Sequence, residues 1–236
     1  MIFEIVIPVL NEEATLQNNT EKILQYIESH LKEDFRICIA DNGSSDATPQ
    51  IAKELVSRFS KLRFVQVSQK GVGRALKESW GTSNADIIGY MDLDIATSLE
   101  HLHTVEKEFS SQNVDVLYGS RLNKKSVVKN RKLIRGIISV FFNLLVRLTF
   151  KTSIKDSMCG FKFLRRDKLN LLRSNGAVTD GWFFCAEIVI LADRLGLKVL
   201  ELPVVWTDDP NSKVKILKLA LEYLKNMNTL KKKIKQ

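Results

Sequence analysis

Cysteine is scarce in this chain, and its three thiols are too widely spaced to suggest pairing. Cys38, Cys159 and Cys185 are odd in number, form no C-x-x-C pair and have no histidine at zinc-ligand spacing. The pattern excludes a disulfide-stapled secreted domain and a structural zinc site. We expect three reduced thiols, as in a cytoplasmic protein.

Targeting and linker signals are also missing. No basic region precedes the apolar run at the N-terminus, so the first residues are predicted to form a strand and not a signal peptide. The 236 residues contain only four prolines and no low-complexity linker. We therefore predict one domain over residues 1–236.

Acidic residues are absent from one long stretch, 121–155, although the formal net charge of the whole chain is only +9. Ten residues of this stretch are basic: Arg121, Lys124, Lys125, Lys129, Arg131, Lys132, Arg135, Arg147, Lys151 and Lys155. A second basic cluster lies near the C-terminus. Patches of this kind face anionic partners.

Short β-branched or aromatic runs alternate with longer segments of helical periodicity. Strands are predicted at 3–8, 37–40, 62–67, 87–91, 114–120 and 198–205, and helices at 13–31, 46–59, 72–83, 182–195 and 214–230. The four regular alternations at the start predict an α/β fold, a doubly wound and mostly parallel sheet with helices on both faces. Ligands of such sheets bind beyond the carboxyl ends of the strands.

Two acids follow the fourth predicted strand. Asp92 and Asp94 are alternate residues of an extended segment, so their carboxylates lie close enough to share one hard cation such as Mg²⁺ or Mn²⁺. The alternative is a polar turn with two solvated acids. The position after a buried strand favours the metal site.

Two further loops hold polar residues at the same predicted edge. Asp41 begins the sequence D-N-G-S-S-D and is placed to accept a hydrogen bond from a nucleobase, whereas Asp46 equally suits a helix cap. The turn K-G-V-G-R at 70–74 can bring backbone amides, Lys70 and Arg74 near phosphates. It lacks the ending of a P-loop, and an ordinary strand-to-helix turn explains it as well.

In combination these loops resemble the family 2 glycosyltransferases. The segment I-P-V-L-N-E-E at 7–13 is similar to that family's V-P-x-x-N-E opening, D-N-G-S-S-D at 41–46 to its D-D-G-S-x-D, and D-L-D at 92–94 to its D-x-D. The segments G-S-R at 119–121, D-S-M-C-G-F-K at 156–162 and P-V-V-W-T at 203–207, with S-K at 212–213, resemble the dolichyl-phosphate mannosyltransferase and glucosyltransferase branch.

The resemblance implies a GT-A fold whose half at 1–120 binds a UDP- or GDP-sugar and whose half at 121–236 binds the acceptor. Mg²⁺ or Mn²⁺ would be held by Asp92 and Asp94. The catalytic candidates are Asp94, Arg121 and Asp156. The donor-binding candidates are Pro8, Leu10, Glu12, Asp41, Asn42, Lys70, Arg74, Asp92 and Leu93. The implied reaction inverts an α-linked donor in one displacement and glycosylates a polyprenyl phosphate.

The chain departs from the family pattern at two places. Asn42 stands where the nucleotide loop usually has a second Asp, and Ile95 and Ala96 follow the D-x-D where relatives can offer another polar metal ligand. Donor identity and the third metal contact are open at this point. The Q-x-x-R-W signature of processive polysaccharide synthases is absent, which argues against a chain-extending enzyme.

The acceptor decides whether a base is needed. A polyprenyl phosphate is already ionised and requires only cations that hold it in line, for which Arg131, Arg135 and Lys213 are the candidates. A sugar or other soluble hydroxyl acceptor, the alternative, requires a carboxylate base. Asp156 ranks first for that role, ahead of Asp180 and Glu187, and a structural pair with a nearby Lys or Arg is the competing explanation for Asp156.

A helix at about 131–151 is predicted to meet the membrane interface. Only eleven residues separate Arg135 from Arg147, fewer than the 17–25 that a transmembrane helix requires. The polar residues recur every fourth position and leave a broad apolar surface. Either lipid or the protein core would cover that surface. We expect peripheral contact at the cytosolic face, directly or through a separate membrane-anchoring subunit.

Two other classes of function remain as rivals. The basic patches also suit a non-catalytic nucleic-acid-binding protein, but no helix-turn-helix, zinc finger or aromatic platform accompanies them, so no nucleic-acid partner is expected. A nucleotidyltransferase would share the acidic pair and the α/β nucleotide pocket. It would release pyrophosphate in place of a nucleoside diphosphate.

Overall fold

The computed structural model describes residues 1–208 and 216–234. The strands are β1 (Ile2–Val9), β2 (Asp34–Asp41), β3 (Leu62–Gln66), β4 (Ile87–Met91), β5 (Val116–Ser120), β6 (Val127–Lys129), β7 (Phe161–Arg165), β8 (Val199–Pro203) and β9 (Val205–Thr207). The helices are α1 (Leu16–His30), α2 (Thr48–Arg58), α3 (Val72–Gly81), α4 (His101–Ser110), α5 (Leu133–Phe150), α6 (Leu169–Ser174), α7 (Phe183–Arg194) and α8 (Ile216–Ile234), with a 3₁₀ turn at Arg166–Lys168.

Seven strands form one sheet in the order β3-β2-β1-β4-β7-β5-β8. Every neighbouring pair is parallel except those made by β7, which runs antiparallel to β4 and to β5. The predicted doubly wound, mostly parallel sheet is confirmed. One sheet therefore draws its strands from both the 1–120 and the 121–236 parts of the chain.

The second part of the chain differs from the sequence prediction in its strands. β7 was not predicted, because its sequence F-K-F-L-R places charged residues in what is a central strand. The strand predicted at 198–205 divides at Val204 into β8, which extends the main sheet, and β9, which pairs with β6 in a separate two-stranded sheet. β9 also lies beside the loop after β4, where the Thr207 amide donates to the Ala96 carbonyl at 2.8 Å.

The core has two layers because alternate side chains of each strand point to opposite faces. On one face Val6 packs in a cluster that includes side chains of α3, α5, α6, α7 and α8. On the other face Ile5 and Ile7 pack with side chains of α1, α2 and α4. This arrangement leaves the carboxyl ends of β1, β2, β4 and β5 at one edge, where the start of the antiparallel β7 also lies.

Candidate active site

The first two loops of this edge are tied together by hydrogen bonds. The Asn11 side-chain oxygen accepts from the Ser45 amide at 2.8 Å, and the Asn11 amide donates to Ser44 Oγ at 2.9 Å. The Glu12 amide donates to Thr48 Oγ1 at 2.8 Å. Asn11 has a left-handed φ of 55°, a conformation that Asn tolerates better than most residues. The loops carrying Pro8, Leu10 and Glu12 therefore form one unit with the loop after β2.

Asp41 is buried at the end of β2. Its Oδ1 accepts from the Ser44 amide at 3.1 Å and its Oδ2 from Gln66 Nε2 at 3.0 Å. An ionised carboxylate offers about four acceptor positions. Two of them bind groups of the protein itself, and the side chain is fully buried, so the sequence expectation of a nucleobase contact stays a prediction.

The glycine-rich turn before α3 is bonded to the protein itself. The Gly71 amide donates to the Asn42 side-chain oxygen, the Gly73 amide to the Gly181 carbonyl at 3.2 Å, and the Arg74 amide to the Asp180 carbonyl at 3.1 Å. The turn joins two loops, and its amides are engaged. These three amides thus favour the ordinary strand-to-helix turn, and a phosphate contact of Lys70 or Arg74 stays a prediction.

The basic side chains of this turn and of α3 differ in whether they have an anionic partner. Arg74 pairs with Asp180 at 2.7 Å, and Lys77 pairs with the other oxygen of the same carboxylate at 2.6 Å. These two cations lower the pKa of Asp180, Lys77 through a hydrogen bond and both through their charge. Lys70 is exposed. Of the two predicted phosphate-binding side chains, Arg74 thus already has an anionic partner within the protein.

The D-x-D segment lies directly after β4. Asp92 is half-buried and Asp94 is exposed, with Asp94 Oδ1 accepting from the Ala96 amide at 3.0 Å. Leu93 between them is buried. Ile95 has a φ of 54°, which is a strained, left-handed conformation for a β-branched residue. The turn therefore holds the two carboxylates in a conformation that its sequence does not favour on its own.

The acidic pair has the electrostatics of a cation site. Burial, and after it the neighbouring charge of Asp94, raises the pKa of Asp92 to about 7, although Lys162 and Arg121 act in the opposite direction. Two carboxylates that resist joint ionisation are stabilised by a shared cation. Among the described residues no group of three His, Cys, Asp or Glu side chains is placed to hold a metal, so the pair fits an ion whose other ligands are phosphate oxygens and water.

Gly160 gives the Asp92 carboxylate its space. A Cβ built on Gly160 would collide with the carboxylate of Asp92. In the β4–β7 ladder Met91 faces Phe161, so Gly160 lies opposite Asp92 one step further along. The glycine of the D-S-M-C-G-F-K segment is thus part of the acidic site, a role that sequence reasoning missed because β7 was not recognised.

Arg121 and Asp156 form a buried ion pair beside the acidic site. Arg121 Nε and Nη2 donate to the two carboxylate oxygens of Asp156 at 2.8 and 2.9 Å, and the Arg121 amide donates as well at 2.9 Å. Burial alone would raise the pKa of Asp156, but the charge and hydrogen bonds of Arg121 lower it to about 2. Such an acid is a poor base. The geometry favours the competing explanation, in which Asp156 orients Arg121.

Two arginine guanidinium groups lie over the ring of Trp206. Arg121 lies 5.3 Å and Arg131 5.7 Å from the centre of its ring. Burial lowers the pKa of Arg131 most, and the nearby positive charge of Arg121 lowers it further. Two cations brought this close attract an anion, and the charge of Arg121 also reaches Asp92. Trp206 itself is 9% exposed and packs in one of the two core clusters.

The two remaining acceptor-phosphate candidates are Arg135 and Lys213. Arg135 pairs with the buried Asp208 at 2.8 Å, so its charge is compensated. Lys213 lies outside the described residues. The structure therefore brings Arg121 and Arg131 together, and Asp208, which the sequence did not single out, anchors Arg135 beside them.

The helix α5 buries Phe142, Val146 and Phe150 together with the polar Ser139 and Asn143, and leaves Arg147 exposed. Ser139 and Asn143 are buried, and the Asn143 oxygen accepts from the Ser157 amide and hydroxyl at 2.8 Å each. The apolar side chains Leu133, Ile134, Ile137, Val140, Phe141, Leu144 and Leu148 are 40–86% exposed. The alternative in which Ile137, Val140, Phe141 and Leu144 serve as core is contradicted.

The length of α5 also differs from the prediction. It has 18 residues with a mean hydropathy of 1.7, and 28% of them are buried. By length and composition this helix is able to cross a membrane, so the expectation of a segment too short to span is wrong. The eleven residues between the two arginines underestimate the helix, because Arg135 and Arg147 belong to it.

The three candidate bases are all occupied. Asp156 is held by Arg121, and Asp180 by Arg74 and Lys77. Glu187 is buried, and its Oε2 accepts from the amides of Val178 and Thr179 and from Thr179 Oγ1 at 2.9–3.0 Å. Burial nevertheless raises its pKa. All three carboxylates thus serve contacts within the protein.

A Rossmann-like sheet with an acidic pair after β4 and the D-N-G-S-S-D loop after β2 defines a GT-A fold. Solved structures agree. Glucosyl-3-phosphoglycerate synthase from Mycobacterium tuberculosis in complex with UDP superposes with a TM-score of 0.71, at 17% identity, over 98% of this chain and 80% of that one. The same enzyme with Mn²⁺, UDP and glucosyl-3-phosphoglycerate gives 0.71 over 97% and 79%.

The sequence profile of Glycosyl transferase family 2 matches residues 4–172, and the chain belongs to this family. Glycosyltransferase AglD of Haloferax volcanii is 32% identical over 217 residues, which are 91% of this chain and 34% of that protein. Dolichyl-phosphate beta-glucosyltransferases of Trichomonas vaginalis and Saccharomyces cerevisiae are each 28% identical, over 94% and 95% of this chain and 71% and 72% of theirs. The chain thus spans about a third of the first relative and about seven tenths of the others.

Proposed function

We propose that this protein transfers a sugar from a UDP- or GDP-sugar to the phosphate of a polyprenyl phosphate at a membrane surface, with inversion at the anomeric carbon. The observation that carries the proposal is the pair Arg121 and Arg131 on Trp206, because the charge of Arg121 reaches Asp92 and Arg131 lies two residues before the exposed apolar helix α5. The dolichyl-phosphate glucosyltransferases among its relatives support the same acceptor class.

The occupied carboxylates favour a phosphate acceptor over a hydroxyl. A hydroxyl must lose its proton as it attacks, and each of the three candidate bases is held by hydrogen bonds or an ion pair. A phosphate monoester attacks through an oxygen that is already ionised. It needs only to be held in line with the anomeric carbon, which is a task for cations.

The two arginines have separate tasks in this mechanism. Asp156 fixes Arg121 through two side-chain hydrogen bonds, so its guanidinium is preorganised and its charge partly compensated. Arg131 has no carboxylate partner among the described residues and supplies the uncompensated charge. We assign Arg131 to the acceptor phosphate and Arg121 to the space between the acceptor and the donor phosphates.

Asp92 and Asp94 would hold the divalent cation, Mg²⁺ or Mn²⁺. When bound, the cation neutralises the charge that develops on the leaving nucleoside diphosphate. The residues fit this role because the pKa of Asp92 is raised by burial and by Asp94, and because Gly160 leaves the space in which the Asp92 carboxylate sits. Asp41, with Pro8 and Glu12 in the adjoining loop, is assigned to the nucleobase.

The exposed apolar surface of α5 supports action at a membrane. A helix packed on a soluble domain usually turns most of its apolar surface to the core, whereas α5 buries only Phe142, Val146 and Phe150 with Ser139 and Asn143 and exposes seven large apolar side chains. Lipid is the medium in which this orientation is stable. Because the inner side of α5 is bonded to Ser157, the helix lies along the surface of the domain, and we place it at the cytosolic interface of the bilayer with the polyprenyl chain beside it.

The test is an activity panel on the 236-residue chain. It is incubated with Mn²⁺ or Mg²⁺ and UDP- or GDP-sugars, with and without a polyprenyl phosphate in liposomes. Nucleoside diphosphate release and lipid-linked sugar are measured, and the anomeric proton coupling in the product reports inversion. We expect release that requires the lipid phosphate. Release stimulated by a hydroxyl acceptor in its place, or release of pyrophosphate, would overturn the proposal.

A further inference from the structure

Lys162 is a charged residue in the interior of the sheet. It lies on β7, faces Tyr90 of β4 on one side and Tyr118 of β5 on the other, and is 1% exposed. A lysine in this position loses nearly all of its hydration, which is costly unless its ammonium group finds other partners. Burial accordingly lowers its pKa.

The ammonium group contacts one carbonyl and one hydroxyl. Lys162 Nζ donates to the Cys159 carbonyl and lies 3.3 Å from the Tyr90 hydroxyl. The Tyr90 hydroxyl donates to the same Cys159 carbonyl at 3.3 Å. Two buried donors therefore hold a single peptide group, the one that joins Cys159 to Gly160.

That peptide group adjoins the acidic site. Gly160 lies opposite Asp92 in the β4–β7 ladder, and any Cβ on it would collide with the Asp92 carboxylate. A shift of the Cys159–Gly160 peptide of even a few tenths of an ångström would therefore change the space in which that carboxylate sits. The Lys162 ammonium group and the Tyr90 hydroxyl therefore fix the position of the peptide that borders the Asp92 carboxylate.

The charge of Lys162 is not taken up by a salt bridge. Within residues 1–208 and 221–234 no carboxylate lies within ion-pair distance of its Nζ, although the charges of Asp92 and Asp156 are near enough to interact with it. A lysine present only to satisfy the fold would be paired, or replaced by an apolar residue at little cost. An unpaired ammonium behind two carboxylates acts on the site.

We propose that Lys162 is a positioning residue for the metal site, holding the Cys159–Gly160 peptide against Asp92 together with the Tyr90 hydroxyl. The inference rests on the proposed function in so far as Asp92 is taken as a metal ligand. It adds a residue that touches neither metal nor donor and acts through the geometry of the turn.

The experiment measures Mn²⁺ affinity in the presence of UDP or GDP, whichever the donor panel selects, by electron paramagnetic resonance of free Mn²⁺. Lys162→Met keeps an unbranched side chain of nearly the same length and removes its charge and donors. Tyr90→Phe removes the second donor alone. Ser157→Ala is the matched control, because it removes a buried hydroxyl of the same segment, bonded to Asn143, and leaves the Cys159 carbonyl untouched.

Loss of a group that orients a metal ligand typically weakens metal binding about 10- to 100-fold. We expect a weakening of that size in Lys162→Met and a smaller one, about threefold, in Tyr90→Phe, with KM for Mn²⁺ raised more than kcat is lowered. Ser157→Ala should lower the unfolding temperature without changing Mn²⁺ affinity. A double variant whose effect is smaller than the product of the single effects would show that both donors act through one carbonyl.

Two outcomes separate this inference from the proposed function. If Asp92→Asn weakens Mn²⁺ binding and folded Lys162→Met does not, the positioning role is wrong and the metal site stands. If Asp92→Asn has no effect either, the metal site itself is wrong, and the inference with it. Should Lys162→Met not fold, Tyr90→Phe decides, and unchanged Mn²⁺ affinity in that variant overturns the inference.

Discussion

The two halves of this chain present their functional groups in different ways. In residues 1–120, the part proposed to bind the donor, Asp41, Asp92 and Asp94 lie at strand ends, and Asp41 and Asp94 each accept from a backbone amide of their own loop. In residues 121–236 the cations are held by partners far away in sequence, as in Arg121 with Asp156 and Arg135 with Asp208. The donor half is built by strand order, and the acceptor half by pairwise contacts.

This difference predicts which substitutions in each half should change stability and which should change activity. An exposed loop acid such as Asp94 can be replaced with little cost in stability, because the strand beneath it keeps its packing. A buried ion pair cannot lose one partner without leaving an unpaired charge in the interior. Substitutions in the donor half should therefore change activity and spare the fold, whereas those at the ion pairs of the acceptor half should change both.

The largest effect is expected at the D-x-D. Asp94→Ala, and Asp92→Ala to a similar or lesser degree, should lower turnover about a thousandfold, because cation neutralisation of the leaving group contributes several kcal/mol. Steady-state nucleotide release over a Mn²⁺ titration measures this. Asp167→Ala is the control, since its side chain is 66% exposed and lies away from the site. Unchanged turnover in both variants would remove the metal role.

The next effect concerns the buried pair of the acceptor half. Asp156→Asn should destabilise the protein by about 3–5 kcal/mol, because Arg121 is left buried without its counter-charge. Asp34→Asn is the matched control, because its pair with Arg36 is more than 40% exposed on both sides and should change stability by less than about 1 kcal/mol. Urea unfolding measures both. Equal effects in the two variants would contradict the comparison of buried and exposed pairs.

The same pair gives a pH dependence with a defined sign. The folded pKa of Asp156 is about 2, lowered by Arg121, against about 4 in an unfolded chain. The resulting stabilisation is present above pH ~4 and is lost as the pH falls through the interval towards 2. The gap in unfolding free energy between wild type and Asp156→Asn should therefore narrow over that interval, and a gap that widens would show that the charge of Asp156 is not what stabilises Arg121.

The same contrast explains what the sequence could predict. Six strands of the main sheet, with β8 as part of a longer predicted strand, and the helices α1, α2, α3, α5, α7 and α8 follow from hydrophobic periodicity, whereas α4 and α6 were not predicted. Asp41, Asp92 and Asp94 follow from their places at strand ends. β7 does not follow from periodicity, because Lys162 resembles a surface residue in the sequence. In the fold its ammonium group is bound to the Tyr90 hydroxyl and the Cys159 carbonyl. A periodic pattern shows that α5 is amphipathic but does not tell which side faces the protein.

Tertiary contacts account for the other differences. Asp156 looked equally suited to be a base or a partner of Arg121, 35 residues away, and only the folded chain selects the partner. The K-G-V-G-R turn looked open to phosphate, but its amides bond to the 180–181 loop and to Asn42. Asn42, the departure from the usual second Asp, thereby joins the nucleotide loop to α3.

A smaller effect, on membrane binding, is expected at the exposed side of α5. Changing Ile137, Phe141 and Leu148 together to Ser should weaken cosedimentation with anionic liposomes on the order of a hundredfold, at about 1 kcal/mol for each partly inserted side chain. Phe142 must be spared because it is buried against Tyr223. Changing Leu171 and Leu195, exposed apolar residues outside α5, to Ser is the control. Equal loss in the control variant, or wild type that stays in solution at low and high salt, would contradict interfacial binding.

The smallest effect is expected at Asp41, which we propose contacts the nucleobase. Asp41→Asn keeps the size of the side chain but reduces its acceptor capacity, which Ser44 and Gln66 already share. A contact with the base is made equally in the ground state and the transition state, so donor affinity should fall about tenfold while kcat changes little. Calorimetry with the donor nucleotide measures the affinity. Gln66→Ala tests the alternative that Asp41 acts only by shaping its loop, because Gln66 contacts Asp41 from the far side of that loop. Equal weakening in both variants would favour loop shape, and an unchanged affinity in Asp41→Asn would remove the base contact from the donor site.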